Sequence, residues 1–131
     1  MTKKIICVGN IVRDDVFHVA ALPAAGIKVD ALHYESRFGG PAATAAAAIG
    51  ALGGRVAYWG RVGDDMSGQA AIAALQAHGV ATGGVAIAKD GHTRNAVVMV
   101  DARGERAIIT NRKGLPDGEH LVPDDAPDDV S

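Results

Sequence analysis

The chain opens on a short apolar run, Ile5-Ile6-Cys7-Val8, closed by Gly9-Asn10. A continuous apolar run of that length, bounded by turn residues, predicts a buried strand of a parallel sheet. Val16 to Val19 predicts an outward extension of it, broken at Leu22-Pro23. The loose alternation from Val29 to Phe38 predicts one or two exposed strands. Gly39-Gly40-Pro41 then starts a helix, because proline suits a first turn whose N–H has no intrahelical partner. Six alanines between Ala42 and Ala48 add helix propensity, and Gly53-Gly54 ends the helix. With so few large side chains, this helix is expected to pack very close to its neighbours, with Ile49 and Leu52 as its apolar anchors.

Arg55 to Gly60 predicts a second strand. Asp64-Asp65 can cap a helix that reaches about His78 and stops at Gly79, with Ile72 and Leu75 on one face. Val85 to Ala88 predicts a further strand. Strands alternating with helices argue an α/β layered fold with a parallel sheet. Asn95 to Val100 and Arg106 to Thr110 flank Asp101-Ala102-Arg103-Gly104-Glu105, which predicts a hairpin turning at glycine. After Asn111 the chain becomes acidic, and Pro116 to Pro127 reads as a loop or linker. No strand or helix at Val130-Ser131 closes the domain, so the parallel sheet is expected to be incomplete. No internal repeat is present.

At 131 residues and 48% hydrophobic, the chain is long and apolar enough for one domain with a core. Its net charge is −2 and its 13 basic residues are scattered, which argues against nucleic acid as a partner. Cys7 stands alone, excluding an internal disulfide or a cysteine-based zinc cluster. The opening apolar run is too short for a signal peptide or a membrane span, so the expected setting is cytoplasmic and no membrane partner is expected.

Three segments are candidates for chemistry. Gly9-Asn10-Ile11-Val12-Arg13-Asp14-Asp15 lies at the carboxyl end of the first strand, where open parallel sheets bind ligands, and a carboxylate there can accept bonds from adjacent sugar hydroxyls. The alternative is a solvated acidic loop. Gly39-Gly40-Pro41-Ala42-Ala43-Thr44 offers free N–H groups and glycine's close backbone approach at a helix start. It is neither a nucleotide P-loop nor a dinucleotide fingerprint, and an ordinary cap reads equally well. Gly60 to Gly68 reads as a strand-to-helix turn with a capping aspartate. Asp64 and Asp65 lack further ligands at metal-binding spacing, and the five histidines, scattered along the chain, read as surface residues.

Taken in order, Gly9-Asn10 with Asp14, Leu22-Pro23, Gly39-Gly40-Pro41-Ala42-Ala43-Thr44 and Gly60-Arg61-Val62-Gly63-Asp64-Asp65 resemble the ribokinase (PfkB) family of sugar kinases. The resemblance runs from Ile5 to about Asn111. It implies a three-layer α/β ribokinase-like fold with a small β-sheet lid, formed by segments at about 16–38 and 94–111. It also implies transfer of the γ-phosphoryl of ATP to a sugar hydroxyl with Mg²⁺. Asp14 matches the sugar-hydroxyl ligand, and Gly39 and Gly40 match the turn whose backbone meets the sugar. Thr44 stands where many members have asparagine, a departure that puts ordinary ribose recognition in doubt. Lys28 and Asn111 match positions that hold a sulfonate in the sulfofructose kinase branch, which implies an anionic hexose such as 6-deoxy-6-sulfofructose; a solvated lid charge is the other reading of Lys28. The family's Gly-Ala-Gly-Asp motif, with the catalytic base, does not occur in this sequence. No catalytic or metal-binding residue is therefore assigned, and ATP and Mg²⁺ are expected to be bound by a carboxyl-terminal half absent from the chain. A homodimer through the lid is expected. A nucleoside kinase of the same fold and a non-catalytic sugar- or partner-binding module remain alternatives.

Overall fold

The computed structural model of the protein describes residues 3–116, so the proline-rich stretch, apart from Pro116 itself, lies outside the described residues. Within them the elements run β1 (Ile5–Val8), β2 (Val12–His18), β3 (His33–Gly39), α1 (Pro41–Ala51), β4 (Val56–Trp59), β5 (Arg61–Gly63), α2 (Met66–Ala77), β6 (Val80–Ala81), β7 (Ala86–Ala88), β8 (Asn95–Val100) and β9 (Arg106–Asn111).

β4 is apolar along its whole length and buried at every position, because it is the central strand of a parallel sheet ordered β1-β4-β6. The helices α1 and α2 cover it. Val56, Tyr58, Val80, Ala43, Ala46, Ala71 and Leu75 meet in one core cluster. Small side chains let α1 come close: a Cβ at Gly50 would overlap the carbonyl oxygen of His78 at the end of α2. Asp65 caps α2, its carboxylate accepting from the Gly68 N–H at 2.8 Å. Leu75 is 3% exposed at the centre of this packing. Leu75→Ala is expected to cost about 2–4 kcal/mol, read by denaturant unfolding of the full-length protein.

Three expectations need correction. Leu52 does not anchor α1: it is 88% exposed, and the buried side chains of the helix are Ala43 and Ala46, with Ile49 packed beside them. The third strand of the parallel sheet is β6, a two-residue strand too short to leave a sequence pattern. The predicted strand near Val85 instead pairs, as β7, with β5 in a separate parallel pair. Finally, the strand expected from Val16 starts at Val12, and residues 29–32 form no strand. β2 departs from the parallel sheet only three residues after β1 and becomes an inner strand of a second sheet, ordered β3-β2-β8-β9. Its pairing with β3 is antiparallel and with β8 parallel, and β8 and β9 form the hairpin.

Candidate functional site

The second sheet grows from the carboxyl end of β1, so one of its faces looks over the end of the parallel sheet. Side chains alternate along a strand. Val12 and Asp14 of β2, Ala96 and Val98 of β8, and Ile108 and Thr110 of β9 thus share one face, together with Arg37 of β3. They line a cavity of about 390 Å³ whose floor is Asn10 and the Gly40-Pro41 start of α1.

Asp14 is the one carboxylate among the lining residues. Burial pushes its carboxyl above the usual range; the Arg37 guanidinium pulls it down and Asp15 pushes it up. Gly39 leaves it room, since a Cβ there would stand 2.6 Å from the Asp14 Oδ2. Gly40 has φ 100° and ψ 138°, a conformation side-chain-bearing residues rarely adopt, and a Cβ on it would overlap the Asn10 carbonyl oxygen. The Tyr58 hydroxyl donates to the Gly9 carbonyl at 2.7 Å and so fixes the end of β1. Burial raises the pKa of that hydroxyl against the opposing pull of Arg94.

The cavity wall is tied to α2 by two devices. Arg13, on the opposite face of β2, donates to Ser36 Oγ at 3.1 Å and Ser67 Oγ at 3.2 Å and lies 3.5 Å from Asp15. At the base of β8, Asp65 accepts from the Thr93 N–H at 2.9 Å and from the Thr93 hydroxyl at 2.6 Å, while that hydroxyl accepts from the Gly63 N–H at 3.0 Å. Burial would raise the pKa of Asp65, but the bonds from Thr93 and Gly68 outweigh it and hold the carboxyl below its ordinary value.

Of the residues singled out in the sequence, Asp14, Gly40 and Asn111 line this cavity, and Gly39 shapes it. Lys28 is exposed on the connection between β2 and β3 and does not line it. Thr44 is exposed in the first turn of α1 and borders a different groove, with Phe38, Ala47 and His78. The sequence reading missed four arginines: Arg37, Arg94, Arg106 and Arg112 all line the cavity. The hairpin alternation that places Thr110 on this face would have found three of them. Among the described residues no three His, Cys, Asp or Glu side chains gather as a candidate cation site.

Residues 2–121 match the pfkB family of carbohydrate kinases. The chain belongs to the pfkB carbohydrate kinase family. Among its curated relatives, an ATP-dependent ribose-1-phosphate kinase of Halopiger xanaduensis is 32% identical over 108 residues, covering 82% of this chain and 36% of the relative. Fructokinase-1 of Zea mays is 38% identical over 79 residues, 60% of this chain and 24% of that protein. The structure of Arabidopsis thaliana ribokinase complexed with ribose and ATP superposes with a TM-score of 0.75 at 28% identity, over 85% of this chain and 36% of that one. This pfkB-family chain therefore has the α/β ribokinase-like fold, and it spans about a quarter to a third of the length of these relatives. Among the described residues no helix is long and apolar enough to cross a membrane.

Proposed function

We propose that this chain supplies the acceptor side of an ATP-dependent sugar kinase, with the four-stranded sheet as a lid over the sugar. The observation that carries the reading is the cavity itself. A half-buried carboxylate, Asp14, and the helix start at Gly40 face each other under the second sheet, at the end of β1 where open parallel sheets hold ligands. Asp14 accepts bonds from the sugar hydroxyls, the Gly40 turn lets the sugar approach the backbone, and the lid excludes water. ATP and Mg²⁺ belong to residues other than those described, and phosphoryl transfer depends on their positioning. The 131-residue chain alone is expected to show no turnover.

The test is phosphorylation by the full-length protein across ribose, fructose, their phosphate esters, 6-deoxy-6-sulfofructose and adenosine. Asp14→Asn is expected to lower kcat/KM for the preferred sugar about 10- to 100-fold, with ATP binding unchanged, as loss of a charge-assisted bond requires. The same substitution is expected to stabilise the fold. A carboxyl whose folded pKa is raised costs stability once ionised, above its ordinary pKa, and asparagine removes that charge. An unchanged sugar affinity would take Asp14 out of the site.

A dimer through the lid belongs to the same reading. The outer face of the second sheet carries Phe17 and Tyr34, their ring centroids 4.9 Å apart, beside Val97, Met99 and the exposed Ile109. Sedimentation of the full-length protein is expected to give a dimer, and Ile109→Lys is expected to shift it toward monomer.

A further inference from the structure

Arg13 follows Val12 and precedes Asp14 on β2, yet it takes no part in the cavity that both of those residues line. Its guanidinium is divided among three elements, one nitrogen to each. Nε donates to Ser36 Oγ on β3 at 3.1 Å, and Nη1 donates to Ser67 Oγ in the first turn of α2 at 3.2 Å. Nη2 lies 3.5 Å from Asp15 Oδ1 on β2, and that oxygen also accepts from the Tyr34 hydroxyl at 2.6 Å. One fork thus joins two strands of the second sheet to a helix that packs on the parallel sheet. The acceptor-site reading uses none of these groups.

The backbone gives this fork leverage. Arg13 lies at the start of β2, where the chain has just left β1, and it pairs with Phe38 of β3 and Asn95 of β8. Successive side chains of a strand point to opposite faces. A roll of β2 that carries Arg13 away from α2 therefore swings Asp14 the other way inside the cavity. Asp14 has little room for that, since its Oδ2 fills the space a Cβ on Gly39 would need. The first turn of α2 also holds the sheet at a second point, through Asp65 and the Thr93 that precedes β8. Arg13 supplies the matching hold on β2 and β3.

Resting on the acceptor-site reading above, we propose that Arg13 is a positioning residue for the acceptor: it pins β2 and β3 to the first turn of α2 and so sets where the Asp14 carboxylate meets the sugar hydroxyls. Arg13 touches no substrate, and its effect reaches the sugar through Asp14. The role needs a guanidinium, whose donors are held apart in a rigid flat fork; a lysine ammonium is a single point charge on a flexible stem. The competing role is purely electrostatic. A cation beside Asp15 offsets the push of Asp15 on Asp14, and lysine would supply that charge as well as arginine does.

The experiment uses the full-length protein and three readouts: amide hydrogen exchange, sugar titration without ATP, and steady-state kinetics with the sugar preferred in the screen above. Arg13→Gln is expected to speed exchange at the β2 and β3 amides and to leave those of β4 and α1 unchanged, which separates a loosened sheet from a destabilised protein. It is expected to raise KM for the sugar about 10-fold, with KM for ATP within about 2-fold of wild type. Ser67→Ala, which removes one of the three partners, is expected to raise the sugar KM about 3-fold. Arg13→Lys is expected to keep most of the Arg13→Gln defect; a lysine variant equal to wild type would overturn the tie in favour of charge. In an Asp14→Asn background, Arg13→Gln is expected to change the sugar KM by less than about 2-fold, because the group it acts through is already altered. Losses that multiply in the double variant would overturn the positioning role, and so would an Arg13→Gln protein with unchanged exchange and KM. If sugar binds without turnover, the kinase reading fails and the same cycle, read on Kd, decides the proposal. If no sugar binds at all, the acceptor reading fails and the positioning role with it, while exchange at β2 and β3 still reports whether Arg13 holds them to α2.

Discussion

Gly40→Ala is expected to lose about 2–4 kcal/mol of stability and most of the sugar affinity of the full-length protein. Two costs act together at this position. The φ of 100° places any L side chain in an unfavourable region, which by itself costs about 1 kcal/mol or more. The new Cβ would also overlap the Asn10 carbonyl oxygen and approach the Ile11 Cα, and both belong to backbone that cannot rotate away. The chain must then shift at the point where β1 ends, α1 begins and the cavity has its floor. Gly53 separates the two costs. Its φ is 83°, yet a Cβ there meets nothing within 4 Å. Gly53→Ala is expected to show only the conformational cost, about 1 kcal/mol, with unchanged KM for the sugar. Chemical denaturation and sugar titration of both variants make the comparison. Equal losses in the two would mean that close packing at Gly40 contributes nothing.

Much of this fold is legible in the sequence because its signals are local. Pro41 and the alanine run mark α1, Asp65 and Gly79 bracket α2, and Gly104 marks the hairpin turn at φ 80°. The elements that escape are those whose pairing is decided at long range. β6 has two residues, and its place beside β4 follows from packing rather than from any period. β2 carries charged residues on both faces, Arg13 and Asp15 on one and Asp14 on the other. It reads as a loop until β3 and β8 supply its bonds on either side. The candidate site divides in the same way. Asp14 and Gly40 are visible because their motifs name them, whereas the arginines are spread over β3, the start of β8 and β9. Arg94 and Arg112 become neighbours only when the hairpin register is counted outward from its turn. That count is available in the sequence, since Gly104 marks the centre of the turn. Lys28 stands differently: it is exposed on the connection between β2 and β3 and is not among the residues that line the cavity.

Asp65→Ala is expected to cost about 2–4 kcal/mol, as much as a large core truncation, although the residue lies outside the cavity. The carboxylate does three things at once. It caps α2 through the Gly68 N–H, and it accepts both the amide and the hydroxyl of Thr93, which is 4% exposed. Alanine leaves those two Thr93 donors without Asp65 in a site that water scarcely reaches, and a buried unmade bond costs more than a made one contributes. The consequence reaches the proposed site through one covalent step. Arg94 and Asn95, the next two residues, both line the cavity, and the Arg94 carbonyl accepts from the Arg13 N–H at 2.9 Å, tying β8 to β2. Loosening Thr93 is therefore expected to raise KM for the acceptor about 10-fold while leaving ATP affinity unchanged. Asp64→Ala is the control: its carboxylate accepts only the Asp90 N–H, at 3.0 Å, among the bonds described, and a loss below about 1 kcal/mol is expected. The acid response carries the same signature. The folded pKa of Asp65 lies below its ordinary value near 3.8, so its contribution is complete above that pH and is lost as pH falls through the lower folded value. Wild type and Asp65→Ala should therefore keep their full difference in stability near neutrality and converge as pH falls from about 5 through the lower folded value. A constant gap across that range would show that the carboxylate's charge is irrelevant and that only the shape of the turn matters.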